Sequence, residues 1–367
     1  MHILVLCPYL TDSHRQWAES YQRYSAHKVE IFSLPGRHWK WRMHGAAVTF
    51  AQQLESMEQA PDVIIATDML DLTTFHALTR KQPAHIPTIL YFHENQLTYP
   101  WSPTDQDRSQ NRDRHYAWIN YVSALAADQL WFNSIYHRQA FLEALPDFLR
   151  AFPDHQHVSL GERLTHKAHV LPVGIELGEK KSREKDQTQP PLILWNHRWE
   201  YDKGPEVFFQ ILMELQSEGV DFQLAVLGKV FGKVPAIFAK AKEVLTDPIV
   251  HWGYTESRVE YAHWLAKADI LPVTAIHEYQ GQSVIEAIHA GCIPFLPHRL
   301  SYPELIPPPL HGAYLYQEEE ELKAKMKNLL RKESLPHVDL DMSRFDVRHM
   351  SRQYDHTCER LIMLHSG

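Results

Sequence analysis

Two carboxylates, Glu278 and Glu286, stand with seven residues between them in the stretch HEYQGQSVIEAIHAGCIP. The first belongs to a turn with Gly281, and the second lies one turn into an expected helix over 283–290. A Gly-containing turn that opens a helix leaves free backbone N–H groups and the positive end of the helix dipole. That is an anion site of pyrophosphate size, and it would draw on Gly281, Gln282 and Ser283. Carboxylates on either side of it suit sugar hydroxyls, because each accepts two charge-assisted hydrogen bonds in fixed geometry. Ser283 and Glu286 also fit a Ser-x-x-Glu capping box, a purely structural reading.

Eighty residues upstream, WNHRWEYDKGPE carries Arg198 and Lys203 five positions apart. Gly204 permits close approach and Pro205 suits the first position of a helix. A guanidinium fork and an ammonium point charge in one loop would meet a diphosphate. Gly228, and Gly253 with Tyr254, follow other apolar runs, where a base or ribose could lie against backbone.

Such residues need a scaffold that delivers loops to one rim. Apolar runs of strand length alternate with helix-length segments through the whole chain, which predicts α/β architecture with parallel sheets covered on both faces. In the first half the expected strands are 3–9, 29–32, 63–66, 88–92, 129–132 and 169–172. The expected helices are 13–26, 45–56, 71–80, 114–127 and 134–145, the last stopped by Pro146. Ligands in such sheets sit beyond the carboxyl ends of strands. After the first strand come Ser13 and His14 in a polar turn. After the second, Arg37, Lys40 and Arg42 interleave with Trp39 and Trp41 in an expected loop, suited to stacking on bases and pairing with phosphates. After the fourth come His93, Glu94, Asn95 and Gln96, of which the histidine could exchange a hydrogen bond with a substrate hydroxyl near neutral pH. The following stretch to Arg114 has no apolar periodicity. It reads as a long loop adding Arg108 and Arg112 to the same side.

GEKKSREKDQTQ cannot bury a core and marks a linker. The expected organisation is a domain over 1–177, a linker over 178–190, a second domain over 191–345, and a C-terminal helix over 346–367 that packs back on the first domain. Strands at 192–195, 223–227, 249–252, 270–273 and 293–296 alternate with helices at 205–217, 236–245, 257–266, 283–290 and 318–331. Two doubly wound domains would leave a central cleft between their strand ends.

With 367 residues and a net charge of −8, the chain is long enough for two cores and is no generic nucleic-acid coat. No apolar run of membrane-spanning length is present, and the N-terminus reads as a strand and not a leader. Three widely spaced cysteines suit thiols in a reducing cytoplasm. The 25 histidines show no zinc-ligand spacing, so no metal site is expected.

Arg198, Lys203, Glu278, Glu286 and the following AGCIP resemble the donor-site pattern of retaining GT-B glycosyltransferases. The resemblance implies that Arg198 and Lys203 bind the diphosphate of a sugar nucleotide, that Glu278 binds the transferred sugar and that Glu286 binds the ribose. It requires no metal, cofactor or general base. Over nearly the whole chain FHENQLTYP, LPGRHWKWR, ILWNHRWEYDKGPE, VLGKVFGKVP, HWGY and HEYQGQSVIEA are similar to the tRNA-queuosine mannosyltransferase family. That likeness implies transfer of mannose from GDP-mannose, or of a sugar from a related donor, to the cyclopentenediol of queuosine in a tRNA. His93, Arg198, Lys203 and Glu278 would then be catalytic, and the first domain would bind the acceptor. Two other readings stay open: a GT-B transferase for a small-molecule or lipid acceptor, and an RNA-binding protein that keeps the fold without catalysis.

Overall fold

The computed structural model describes residues 1–366 except 81–85, 102–112, 180–188, 231, 233 and 332–339, with the side chains of 113 and 366 left out. Arg108 and Arg112, and most of the expected linker, therefore lie outside the described residues. The chain divides into two compact units, Met1–Glu176 with Phe345–Gly367, and Leu177–Arg344.

The first unit is built on six parallel strands: β1 His2–Leu10, β2 Lys28–Pro35, β3 Val63–Thr67, β4 Thr88–Phe92, β5 Gln129–Phe132 and β6 Ala168–Val170. Their order across the sheet is β2-β1-β3-β4-β5-β6. Every residue of β3 and β4 is buried. Such apolar runs, covered on both faces, are what a central parallel strand requires. The period of two then splits them. Leu4, Ile64, Leu90 and Leu130 join one core, and Ile3, Val63, Ile89 and Trp131 the other. The second core is closed by the helix Val347–Ser366, which contributes Met350, Tyr354, Cys358 and Leu361 at helical spacing.

Two expected helix ends are wrong for identifiable reasons. Trp39–Glu55 is one helix, so Lys40, Trp41 and Arg42 lie in a first helical turn and not in a loop. Met43, Ala46, Ala47, Phe50, Ala51 and Leu54 form its buried stripe, and that stripe extends the helix back past Gly45. Gly45 is accommodated because the Trp41 indole occupies its side-chain space: a Cβ there would stand 2.7 Å from two indole carbons. The helix Ile135–Arg150 runs through Pro146 instead of stopping before it. Proline costs about 3 kcal/mol inside a helix. Continuing by one turn buries Leu149 in the first core with Phe148 packed against it, which offsets much of that cost.

The second unit repeats the plan with β7 Leu192–Trp195, β8 Gln223–Val226, β9 Ile249–Trp252, β10 Ile270–Pro272, β11 Ile293–Pro297 and β12 Leu315–Tyr316. The order is β12-β11-β10-β7-β8-β9, and every registered pair is parallel. The two-residue strand β12 was not expected. Trp195, Trp199, Phe208, Phe209 and Phe238 fill one face of this sheet.

Strand order reverses direction once in each sheet, between β1 and β3 in the first and between β7 and β10 in the second. Loops leaving the two strands at such a point diverge to opposite faces and open a crevice at their carboxyl ends. The connections in question are Thr11 with the helix start that follows it and the loop 68–71 in the first unit, and 196–204 and 273–281 in the second.

Candidate active site

In the second unit the loops after β7 and β10 are stitched together by backbone. Thr274 Oγ1 donates to the Lys203 and Gly204 carbonyls at 3.2 and 2.8 Å, and the N–H groups of Ile276 and His277 donate to the Asp202 carbonyl at 2.9 and 3.3 Å. Contact is closest at Gly204, in the left-handed region at φ 65°, where a Cβ would lie 2.2 Å from the Thr274 carbonyl oxygen.

This junction brings together the charges expected from sequence. Lys203 Nζ lies 3.1 Å from Asp202 Oδ2 and 3.3 Å from Glu278 Oε2, and donates to the His277 carbonyl at 3.2 Å. The other carboxylate oxygen of Glu278 accepts from the N–H groups of Tyr279 and Gln280 at 3.1 and 3.3 Å. Burial alone would raise the pKa of Glu278, but the Lys203 ammonium, His277 and the peptide donors hold it down to about 2. Burial likewise opposes the charge on Lys203, yet Glu278 and Asp202 keep its pKa above the ordinary value. Both groups are thus charged at neutral pH. His197 and His277 are held at about 4 by burial and then by Lys203, so both rings are neutral there. Arg198 reaches outward from the same loop, 45% exposed, with Glu200 at 2.9 Å and Asp202 at 3.7 Å.

The helix opened by Gly281, itself at φ 79°, runs over Gln282–His289. No capping box forms. The Ser283 hydroxyl meets His197 Nδ1 at 3.3 Å, and Glu286 turns away from the helix start to accept from Tyr261 Oη at 3.0 Å and to pair with Arg258. Burial and the Glu286 charge keep the proton on Tyr261, so it is the donor. Asn196 ties this arm to the β7 exit by donating to the Ser283 carbonyl at 2.8 Å. Glu278 and Glu286 therefore flank the two ends of one ledge, and the first turn of the helix leaves backbone N–H groups without intrahelical acceptors between them. Gly228, at φ 115°, lies against the His197 carbonyl. Gly253, at φ 137°, has no neighbour near its missing side chain, and the half-exposed Tyr254 ring has Lys229 Nζ 5.7 Å from its centre.

Sequence reasoning missed Asp202, Arg258 and Tyr261. Asp202, 2% exposed, is the acid that spaces Arg198 from Lys203. It stands in plain view in EYDKG, where an acid beside two cations was a readable signal. Arg258 and Tyr261 come from a separate helix, Arg258–Lys267, and no local pattern points to them.

In the first unit the carboxyl ends of β1, β3 and β4 meet. His93 stacks on His14 at 4.7 Å between ring centres, with Trp17 and Tyr91 edge-on at 4.7 and 4.6 Å. Burial takes His93 well below the ordinary histidine value and His14 to about 4, so the pair is neutral. Asp68, fully buried after β3, accepts from the His93 N–H at 3.0 Å. Asn120 braces the same loop, its Oδ1 accepting from the Gln96 N–H at 2.7 Å and its Nδ2 donating to the Asp68 carbonyl at 2.8 Å. Neither Asp68 nor Asn120 was anticipated. Asn95 is fully buried and its Oδ1 accepts from the N–H groups of Leu97 and Thr98 at 3.0 Å each, which closes a turn. Glu94 is half-buried beside Asp68, and Ser13 is exposed, 3.3 Å from the Thr11 hydroxyl. The helix Asp12–Tyr24 has no side-chain cap; Thr11 instead turns its hydroxyl to His14 Nδ1 at 2.7 Å.

Of the cation–indole cluster, Trp39 packs against Tyr116 and Trp101, with Lys40 Nζ 5.6 to 5.9 Å from those three ring centres. Trp41 is 63% exposed, Arg37 is exposed, and Arg42 donates to the Pro35 carbonyl at 3.4 Å. Among the described residues, no helix is long and apolar enough to cross a membrane.

The model of the family described as tRNA-queuosine alpha-mannosyltransferase N-terminal matches residues 2–175, and that of glycosyl transferases group 1 matches 178–339. A tRNA-queuosine alpha-mannosyltransferase of Drosophila melanogaster is 35% identical over 340 residues, which is 90% of this chain and 87% of that protein. Among solved structures, the sucrose-phosphate synthase of Thermosynechococcus elongatus aligns with a TM-score of 0.73 at 12% identity, covering 99% of this chain and 100% of its own. A trehalose-6-phosphate synthase aligns at 0.68 and 12% identity over 98% and 99%. These two likenesses give the fold, that of two Rossmann-like α/β units of the GT-B class. The sequence match carries more, and on it the chain belongs to the tRNA-queuosine alpha-mannosyltransferase family of glycosyltransferases.

Proposed function

We propose that this chain transfers mannose from GDP-mannose to a hydroxyl of the queuosine cyclopentenediol in a tRNA, with retention at the anomeric carbon. The observation that carries the donor half is the Lys203–Glu278 pair bridging the loops at the reversal point of the second sheet. The diphosphate lies across Lys203, Arg198 and the N–H groups opened by Gly281. Glu278, fixed as a carboxylate, accepts from the sugar hydroxyls, and Glu286 from the ribose. The guanine base lies beyond Gly228 and Gly253, near the Tyr254 ring. In the reaction the sugar–phosphate C–O bond breaks and its electron pair leaves with GDP. The acceptor oxygen bonds the same carbon from the departing face and gives its proton to the leaving phosphate oxygen. Lys203 and Arg198 stabilise the charge that grows on that phosphate, so no metal is invoked. Neutral His93 offers a hydrogen bond to a sugar or acceptor hydroxyl. Three buried thiols, with Cys7 pushed up to about 12 by burial, suit a cytoplasmic setting, where tRNA is found.

The decisive experiment is mass analysis of queuosine-containing tRNA after incubation with the chain and GDP-mannose. The expected product has gained one hexose on the modified nucleoside. An unchanged tRNA, with donor consumed onto a small or lipid acceptor, overturns the tRNA assignment.

Trp41 gives the acceptor half its own test. An exposed indole on a helix turn that carries Lys40 and Arg42 is placed to stack on an unpaired base, a contact of about 1–3 kcal/mol. Trp41→Ala should weaken tRNA binding roughly ten-fold or more in a fluorescence titration. The thermal midpoint should hardly move, because the ring is largely outside the core.

A further inference from the structure

On the β6 edge of the first sheet lies an open cavity of about 450 Å³. Its polar lining includes Arg138, His169, Gln353, His356, Thr357 and Arg360, and no acid is among the lining residues. Gln353, His356, Thr357 and Arg360 recur at helical spacing, so one face of the C-terminal helix is presented to it. Neither guanidinium has an ion pair or side-chain hydrogen bond among the described residues. Both act on one point: His169 is lowered from the ordinary histidine range by burial, then by Arg360 and Arg138.

The nearby acids are turned elsewhere. Asp355 accepts from Tyr21 Oη at 2.9 Å and from the Ala26 N–H at 2.8 Å. Glu359 pairs with His27 at 2.9 Å and touches His356 only at 4.0 Å. Asp128 accepts from the Thr88 N–H at 2.8 Å and from His365 at 3.3 Å. In a chain of net charge −8, two arginines on one cavity with no acid among its lining residues form a standing positive site. Guanidinium forks match phosphate oxygens bidentately, while the Thr357 hydroxyl is already donated to the Gln353 carbonyl at 2.8 Å and the Gln353 amide to His349 at 2.7 Å.

We propose that this cavity seats backbone phosphates of the bound tRNA, as a contact separate from the Trp41 helix turn, which lies past the opposite edge strand, β2. The inference rests on the tRNA reading above. It explains how an acidic chain could hold a polyanion: clusters of cations stand at two edges of one sheet.

The test is the salt dependence of tRNA binding by the full chain carrying Arg138→Gln and Arg360→Gln. Each phosphate contact contributes about −0.7 to −0.9 to the slope of log K against log salt. The double variant should lose between about one and two units of slope and bind roughly ten-fold or more weakly at moderate salt. Binding of GDP, measured by titration, should be unchanged, and Arg138→Lys with Arg360→Lys should restore most of the slope. An unchanged slope and affinity overturn the proposal. If inorganic phosphate raises the wild-type melting point and not that of the variant, while the RNA slope stays put, the site serves a small phosphate and the RNA assignment is overturned. A wild-type chain that binds no tRNA sinks this proposal together with the reading beneath it. Normal mannosylation of tRNA with an unaltered slope sinks this proposal alone.

Discussion

Lys203→Ala should lower the rate of sugar transfer about 10²–10³-fold at saturating donor. One preorganised donor to a developing anion is worth about 3–4 kcal/mol of transition-state stabilisation, and a drop of that size follows from losing it. Here the ammonium has a second duty. It sits between Asp202 and Glu278, and both are carboxylates with little solvent around them. Removing it leaves Glu278 without its counter-ion and Asp202 with Arg198 at 3.7 Å, a change that typically destabilises by about 3–5 kcal/mol. The two losses can be separated. Lys203→Arg keeps the charge but alters its reach, so it should retain most of the stability and still lose much of the rate. The pH profile adds a sign. In the wild type the folded Glu278 pKa, about 2, lies below the ordinary glutamate value. A depressed carboxyl stabilises the fold above its unfolded pKa, and that stability is lost as pH falls through the folded one. Chemical denaturation of the wild type should therefore show a fall in stability between about pH 5 and pH 2. Without Lys203, burial is opposed only by His277, His197 and peptide donors, so the Glu278 pKa rises and the fall over that window shrinks. Wild-type turnover by the alanine variant would remove Lys203 from the reaction.

How much of this was visible beforehand depended on whether the information was local. The strands announce themselves because a central parallel strand must be apolar on both faces, and runs such as VIIAT and TILYF have no other stable use. Lys203 and Glu278 could be paired from sequence because each follows such a run, and loops after strands share a rim. Glu286 was placed correctly on the helix, yet its partners Arg258 and Tyr261 were invisible. They come from a helix that follows β9, the far edge strand, and lie near Glu286 only because of how the helices cover the sheet. Asp68 and Asn120 are hidden for the same reason: each acts on a loop that leaves another strand. The errors at Trp39 and Pro146 have a different origin. A cation–indole alternation looks like a loop and a proline looks like a stop, while a buried stripe along the helix overrides both. The supposed capping box failed because tertiary partners, His197 for Ser283 and Tyr261 with Arg258 for Glu286, competed successfully with the helix's own end.

Gly228→Ala should leave the second unit unable to hold its native fold, with a loss of about 4–5 kcal/mol or more. From sequence this glycine read as a place where a base or ribose approaches backbone. The approach that requires it is within the protein. A Cβ on Gly228 would lie 1.9 Å from the His197 carbonyl oxygen and 2.9 Å from its carbon, and the residue is also at φ 115°. Backbone cannot swing aside as a flexible side chain can, so either the β8 exit or the β7 exit must move. The β7 exit is the loop that carries Arg198, Asp202 and Lys203, which makes the substitution felt at the diphosphate as well as in stability. Gly253→Ala is the matched control. Its φ of 137° is equally unfavourable for alanine, but nothing lies within 4 Å of the added carbon. Strain alone costs about 1–3 kcal/mol, so that variant should fold with a lowered denaturation midpoint. If the two alanine variants lose the same stability, the pressure of Gly228 on the His197 carbonyl does not exist. The loop after β7 would then owe nothing to the β8 exit, and the convergence of Lys203 on Glu278 would rest on its bonds to the β10 loop through Thr274, Ile276 and His277.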